Sequence, residues 1–583
     1  MATAPLRPSQ VRVHLARQRF RLRLVWLGLS LGALGLAARL VYLQVIQAAW
    51  LREQAAQQQK ALVRQPLPRR PVIDAQGVVL AVDQPVYELY AHPRLFKRPT
   101  SQIAQALAPL LNRPAADLQR ELQRAPSGIP LARGLLPPVA QQIERLHLDG
   151  LELVAGFQRV YPQRRVAAEV VGYVNQEHRG QAGVELSQEA LLRQAAAPAV
   201  LAHDGRGHYQ STTLPASWLL DDPRQLQLTI DVRLQQAAQE QLQRALAKFQ
   251  AQRGAVIVLR VQDGAIRALV VEPGYDPNTF YRFPLERFKN WAVTDLYEPG
   301  STFKPINVAI ALESQRVRPD QVFYDPGRII VGGWPIQNFN FDQVGAGGSL
   351  TVSEILEQSS NVGMVRLMDQ LPRADYYQAL RRLGLGDELA TDLPFISPTS
   401  LKSREEFVNY PVEAATASFG QGLALTPLKL AQLYAAIGNG GWLVQPHVVA
   451  GLWNPQTHEL TPLPRPQPVR VFSQTTCDAV VRMLERVVER GTGKPARIPR
   501  YRLGGKTGTA QKAGIGGYRS GKITSFVALF PVPKPAYVVL AVVDEPQTAN
   551  AFGSTVAAPV VKAVIERLIV LEGIPPSQPA GRQ

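Results

Sequence analysis

Tyr297-Glu298-Pro299-Gly300-Ser301-Thr302-Phe303-Lys304-Pro305 sets a serine three residues before a lysine, after a Pro-Gly breaker and before the apolar run Ile306 to Leu312. Pro-Gly ends the preceding element, and the apolar run reads as a buried helix. Ser301 therefore stands at a helix start, with Lys304 one turn on along the same face. A serine hydroxyl is a weak nucleophile until a base removes its proton, and a desolvated lysine amine can do so. First-turn amides point outward and can hold a developing oxyanion. Taken singly, the pair fits a solvated helix start equally well.

Two further stretches change that reading. Gln358-Ser359-Ser360-Asn361-Val362-Gly363 supplies a second hydroxyl and an amide two residues apart. Leu503-Gly504-Gly505-Lys506-Thr507-Gly508-Thr509-Ala510 supplies Lys-Thr-Gly flanked by glycines. In this order the three resemble the Ser-x-x-Lys, Ser-x-Asn and Lys-Thr-Gly elements of penicillin-binding proteins and class A β-lactamases. Each alone has an ordinary structural reading, but the ordered set does not.

Length and composition bound the rest. With 583 residues, 46% of them hydrophobic and 19% charged, the chain needs more than one core. The single cysteine, Cys477, excludes an internal disulfide, and the eight histidines show no metal-ligand spacing, so neither metal nor cofactor is expected. The net charge of +18 fits an anionic surface or polymer. The arginines are spread along the chain without a nucleic-acid motif, so no nucleic-acid partner is expected.

Residues 1–23 carry six arginines from Arg7 to Arg23 and no acid, and read as a basic cytoplasmic tail. Leu24 to Ile46 is apolar except for Arg39 near one end, long enough for one transmembrane helix with the rest of the chain outside. Small-x-small sites at Ala33-Leu34-Gly35 and Gly35-Leu36-Ala37 leave a cleaved leader as the rival reading, but the apolar stretch outlasts an ordinary leader core. Ala48 to Leu62 reads as a polar, glutamine-rich helix. Residues 47–223 form a mixed α/β pedestal: a hairpin turning at Gln76-Gly77, helices near 101–112 and 137–146, and strands near Leu151–Leu153 and Val166–Val174. Tyr161-Pro162 and Gly183-Val184-Glu185 are packing features.

Residues 224–572 form the catalytic domain. Gln225 to Ile230 opens it as a strand, and Asp231 caps a helix to about Phe249. A hairpin turns at Gln262-Asp263-Gly264. Helices follow, including Pro427 to Ile437. Arg502–Ala510, Ser525–Phe530 and Tyr537–Val543 return to strand, and Val556 to Leu571 closes the domain as a helix. Strands first and last with helices between give an α+β fold around one antiparallel sheet. Residues 573–583 read as a disordered tail. Gly516 to Lys522 imitates a phosphate-binding loop, but Ile523 stands where the loop needs Ser or Thr, which argues against an ATPase.

Nearly the whole chain past Leu24 resembles the class B penicillin-binding proteins, and more closely their division-specific (FtsI-type) branch. The resemblance rests on Asn290 to Asp295, Glu298-Pro299-Gly300-Ser301, Gln358 to Gly363, Ser418-Phe419-Gly420-Gln421-Gly422 with Thr426-Pro427, and Gly504 to Ala510. Val171 to Asn175 and Gly183 to Glu185 resemble the family's non-catalytic, dimerisation-type pedestal. Pro71 departs from the family's usual glycine and puts the local pedestal turn in doubt. No glycosyltransferase domain is visible.

The resemblance implies a penicillin-binding/serine β-lactamase-like domain acting as a peptidoglycan D,D-transpeptidase. Ser301 would attack the D-Ala-D-Ala carbonyl of a stem peptide, with Lys304 as base, Ser359 and Asn361 as relay and anchor, and Lys506 as positive potential. Thr507, Gly508 and Thr509 would bind substrate, and the amides of Ser301 and Thr509 would form the oxyanion hole. It further implies β-lactam antibiotics as ligands and, as partners, a membrane glycan polymerase (SEDS-type) and other division proteins. An elongation-type transpeptidase, a hydrolase and a catalytically quiet scaffold or sensor stay open at this stage.

Overall fold

The computed structural model describes residues 8–58, 60–63, 67–194, 199–202, 222–514, 517–548 and 550–577. The chain divides into two compact units, Met1–Leu67 with Ala195–Asp222, and Pro68–Gln194 with Pro223–Gln583.

The first unit holds a helix, Pro8–Val41, that runs into a wider turn over Tyr42–Ile46 and a further helix, Ala48–Gln58. Within it Arg19–Ile46 is long and apolar enough to cross a membrane. Leu24, Trp26, Leu29, Leu34, Leu36 and Ile46 all lie open on its surface. Apolar exposure on this scale marks a surface that meets something other than water. The Arg39 guanidinium lies 5.4 Å from the Tyr42 ring centroid. The helix expected from Ala48 to Leu62 stops at Gln58, and Lys60–Val63 instead pairs antiparallel with Ala199–Ala202. A distant strand partner there overrides the local helical pattern.

In the second unit, five antiparallel strands stand in the order Gly504–Gly514, Gly517–Phe530, Tyr537–Asp544, Arg253–Arg260 and Ile266–Glu272. Side chains alternate across a strand, and here both faces are buried. Ala255, Ile257, Leu259, Val527, Leu529 and Leu540 enter one core with the helices Lys304–Glu313 and Pro427–Gly438. Val256, Val258, Phe526, Ala528, Val539 and Ala541 enter another with the helices Val232–Phe249 and Ala557–Glu572. Continuous apolar strands are the consequence of that two-sided cover. The Asp231 carboxylate accepts from the Arg233 amide and caps the first of these helices as expected. The loop-like stretch ending at Lys522 lies in strand Gly517–Phe530, and Gly516 is outside the described residues.

A second sheet runs Glu459–Pro462, Val449–Asn454, Gln225–Leu228, Val72–Ile73, Val79–Ala91, Ile129–Leu135, with Leu151–Val160 also on Val79–Ala91. Gln225–Leu228 thus does not open the catalytic sheet; it pairs parallel with Val72–Ile73 and antiparallel with Val449–Asn454. The pedestal and catalytic segments share this sheet. The strand expected over Val166–Val174 is a short helix, Ala168–Val171, between turns. Short apolar runs look alike as buried strand and buried helix. A helix unforeseen in the sequence, Ala115–Leu122, packs Leu118 and Leu122 against Ile103, Leu107 and Ile143.

Glu185 is fully buried between Arg69 (2.8 Å) and Arg159 (2.7 Å), and is the counter-ion of the pedestal. The Tyr161 hydroxyl accepts from the Val174 amide at 3.0 Å. The turn after Pro71 forms despite the absent glycine: buried Asp74 accepts from the amides of Gln76, Val78 and Val232. Gly573 ends the last helix in a left-handed cap. Beyond it Ile574 accepts from the Tyr501 hydroxyl and Ser577 from the Arg502 amide, so the tail's first residues are docked; 578–583 are outside the described residues.

Candidate active site

Ser301 sits in a tight turn, Gly300–Phe303, that feeds directly into the helix Lys304–Glu313. Gly300 has φ +54°, and its amide donates to the Gly420 carbonyl at 2.9 Å. A Cβ on Gly420 would fall 2.1 Å from the Gly300 oxygen, so the stretch Ser418–Gly422 braces the nucleophile turn with bare backbone. Ser301 is half-buried, and its hydroxyl makes no hydrogen bond among the described residues. Thr302 is locked beneath it: its hydroxyl donates to the Pro299 carbonyl (2.7 Å) and its carbonyl accepts from the Tyr434 hydroxyl (2.7 Å).

From Lys304 to Leu312 every residue of the helix is buried, so the lysine amine is carried into the interior. Its Nζ donates to the Ser359 carbonyl at 2.6 Å and the Asn361 side-chain oxygen at 2.8 Å, with Ser359 Oγ at 3.3 Å. Burial and then the neighbouring Lys506 push this amine well below the ordinary lysine range, against a smaller opposite pull from Asp325. A neutral amine has two N–H donors, which the Ser359 carbonyl and Asn361 can absorb. Its lone pair is then left for a hydroxyl proton.

Ser359 closes the helix Val352–Gln358 at φ +60°, an uncommon conformation for a residue with a side chain. That conformation puts both its carbonyl and its hydroxyl on the lysines. The strain costs about 1–3 kcal/mol and clusters at functional sites. Lys506 Nζ lies 3.0 Å from Ser359 Oγ, 3.2 Å from the Thr507 carbonyl and 3.4 Å from Thr507 Oγ1. It too is fully buried, and burial lowers it to about 7.

Lys506, Thr507, Gly508 and Thr509 belong to the edge strand Gly504–Gly514, which among the described residues pairs only with Gly517–Phe530. Its other edge leaves backbone groups open to an extended peptide. The strand approaches the Ser301 turn closely: a Cβ on Gly508 would lie 2.9 Å from Thr302 Cγ2, and one on Gly300 3.3 Å from Ala510 Cβ. Thr509 is exposed, and its hydroxyl accepts from the Gly553 amide at 3.0 Å. The eight residues singled out in the sequence thus stand on a helix start, a helix junction and a sheet edge that approach one another.

Other residues of the site carry no motif signal. Thr492 Oγ1 lies 2.9 Å from Thr507 Oγ1. The Gln337 carbonyl accepts from Asn361 Nδ2 at 3.0 Å. Asp325 and Asn338 bind the turn from behind: Ser360 Oγ donates to Asp325 at 2.5 Å, and Asn338 Oδ1 accepts from the amides of Asn361 and Val362. The sequence reading missed all of them; the Asp325-Pro326-Gly327 turn was a signal that could have drawn attention to Asp325.

Residues 254–566 match the penicillin binding protein transpeptidase domain, and 64–213 the penicillin-binding protein dimerisation domain. The chain belongs to the penicillin-binding protein transpeptidase family. A peptidoglycan D,D-transpeptidase FtsI homolog from Mesostigma viride is 44% identical to this family member, over 96% of this chain and 97% of its own length. Peptidoglycan D,D-transpeptidase FtsI of Escherichia coli K12 is 32% identical over 93% and 90%. The crystal structure of penicillin binding protein 3 from Mycobacterium tuberculosis, complexed with aztreonam, covers 89% of this chain and 99% of its own with a TM-score of 0.67 at 24% identity. At that identity the penicillin-binding protein fold is the shared feature.

Proposed function

We propose that this chain is a serine-type peptidoglycan D,D-transpeptidase that crosslinks stem peptides in septal wall synthesis during cell division. The observation that carries the reading is the convergence of two buried amines, Lys304 and Lys506, on the Ser359 hydroxyl, with Ser301 on the turn that leads into Lys304. Full-length similarity to named FtsI proteins supports it.

In the first step neutral Lys304 takes the Ser301 proton, and Ser301 Oγ attacks the carbonyl between the terminal D-alanines. The amides of Ser301 and Thr509 hold the oxyanion, a contribution worth about 3–4 kcal/mol in comparable sites. Ser359, polarised by Lys506 beside it, gives its hydroxyl proton to the departing D-alanine nitrogen and takes the Ser301 proton from Lys304, which is neutral again. Asn361 holds the stem-peptide amide, while Thr507 and Thr509 bind the terminal carboxylate. In the second step the amine of a neighbouring stem peptide attacks the acyl-Ser301 carbonyl and loses its proton to Lys304, which returns it to Ser301 Oγ as the ester bond breaks and the crosslink is left. β-Lactams imitate the D-Ala-D-Ala unit and acylate the same serine.

The helix Arg19–Ile46 anchors the protein in the cytoplasmic membrane. The arginines before it keep the N-terminus in the cytoplasm and the catalytic unit outside. A SEDS-type membrane glycan polymerase contacting that helix is the partner that fits.

Labelling with a fluorescent penicillin, wild type beside Ser301→Ala, tests the reading. Stable labelling that the alanine variant loses is expected. Rapid release of the label would make the protein a hydrolase, and no labelling at all would leave a scaffold.

A further inference from the structure

Asp325 is fully buried on the strand Val322–Asp325, outside the three motifs. Its Oδ1 accepts from the Gly327 amide at 2.7 Å, and its Oδ2 from Ser360 Oγ (2.5 Å) and Asn338 Nδ2 (2.8 Å). Among the described residues it has no ion-pair partner. A buried carboxylate without one is strongly disfavoured unless hydrogen bonds and a nearby positive charge compensate it. The hydrogen bonds are those three. The positive charge it acts on is the buried amine of Lys304.

Two short routes lead from this carboxylate to Lys304. Through Ser360 it fixes the junction between the helices Val352–Gln358 and Asn361–Met368, where strained Ser359 turns its carbonyl onto Lys304 Nζ. Through Asn338 it fixes the Asn361 amide, and Asn361 Oδ1 is the second acceptor of the same amine. The carboxylate packs against Gly347, where a Cβ would lie 2.7 Å from Asp325 Oδ2 and displace it.

We propose that Asp325 is a positioning residue of the acylation step: it holds the Ser359–Asn361 junction on Lys304 and, by its charge, sets the pH at which Lys304 becomes a competent base. Two charged groups act on Lys304: Lys506 from the edge strand, which drives its proton off, and Asp325 from the opposite side, which retains it. The other polar neighbours of the amine, Ser359 and Asn361, are neutral. The proposal rests on Lys304 being the base that activates Ser301.

The test is the pH profile of the acylation rate constant for fluorescent penicillin, with the full-length chain in detergent. Asp325→Asn keeps the shape and removes the charge, so its acid limb moves to lower pH by about half a unit to one unit. Ser360→Ala keeps the charge and removes the hydroxyl that bonds Asp325, Asn338 and the Gly363 amide; its limb stays in place while the rate falls about tenfold or more. An Asp325→Asn limb at the wild-type pH would overturn the electrostatic part whatever the rate, because a merely structural role slows acylation without moving the limb. Ser360→Ala at the wild-type rate would overturn the positioning part, and this variant decides the matter if the Asn variant does not fold. Lys304→Ala separates the two levels. Retained acylation there removes the base itself, whereas its loss, with an unmoved Asn-variant limb, removes only the role of Asp325.

Discussion

Gly508→Ala isolates the spacing between the substrate-binding strand and the nucleophile turn. A Cβ at this position would lie 2.5 Å from Ser525 Oγ, 2.9 Å from Thr302 Cγ2 and 3.2 Å from the Pro299 carbonyl. Ser525 is buried in the neighbouring strand, and Thr302 cannot rotate away without breaking its bond to Pro299. Ordinary contact begins at 3.4 Å, so the edge strand and the Ser301 turn must part. A shift of about 1 Å in a reacting geometry costs roughly a hundredfold in rate, and overpacking of this kind costs about 1–3 kcal/mol of stability. The expected variant is folded, modestly less stable and about tenfold to a hundredfold slower to acylate. Stopped labelling with fluorescent penicillin gives the rate, and thermal unfolding gives the stability. Gly156→Ala is the control, because nothing lies within 4 Å of the added methyl. A Gly508→Ala protein that acylates at the wild-type rate would refute the claim that this close approach sets the distance between Ser301 and Thr509.

Acylation should also pass through a maximum with pH. Below the depressed value of Lys304 both amines are charged and the base is missing, so the rate rises with pH as that proton leaves. Above about 7 Lys506 loses its own proton and the rate falls again. A rate that climbs steadily to pH 10 would mean an ordinary, solvated Lys304. In the pedestal, Glu185→Gln leaves the buried guanidiniums of Arg69 and Arg159 with only Glu189 and Asp83 as carboxylate partners. A loss of about 3 kcal/mol is expected from thermal unfolding. A change under about 1 kcal/mol would show that Glu185 is replaceable.

The candidate site residues stood out in the sequence because the chemistry proposed for them demands fixed local context. Ser301 needs a helix start, which Pro299-Gly300 announces, and Lys304 needs an apolar helix to bury it, which Ile306 to Leu312 announces. The alternating apolar strands and the Asp231 cap were legible for the same reason: period and capping are local. The errors were of the opposite kind. Val166–Val174 is too short for periodicity to tell strand from buried helix, and Lys60–Val63 takes its conformation from a partner at Ala199–Ala202. Gln225–Leu228 alternates properly, yet alternation does not name the sheet, and Val72–Ile73 and Val449–Asn454 claimed it.

By itself, then, the amino-acid order marked the two lysines, the candidate nucleophile Ser301, the strand that carries Lys506 to Thr509 and the apolar segment Leu24–Ile46. Only the tertiary structure decided that both amines meet one hydroxyl, because Ser359 and Lys506 belong to different elements and their approach depends on how a helix junction packs on a sheet edge. It alone decided that Asp325 stands behind that junction. A buried carboxylate looks in sequence like any turn aspartate, since burial and the identity of its partner are properties of the folded neighbourhood and not of the residues on either side.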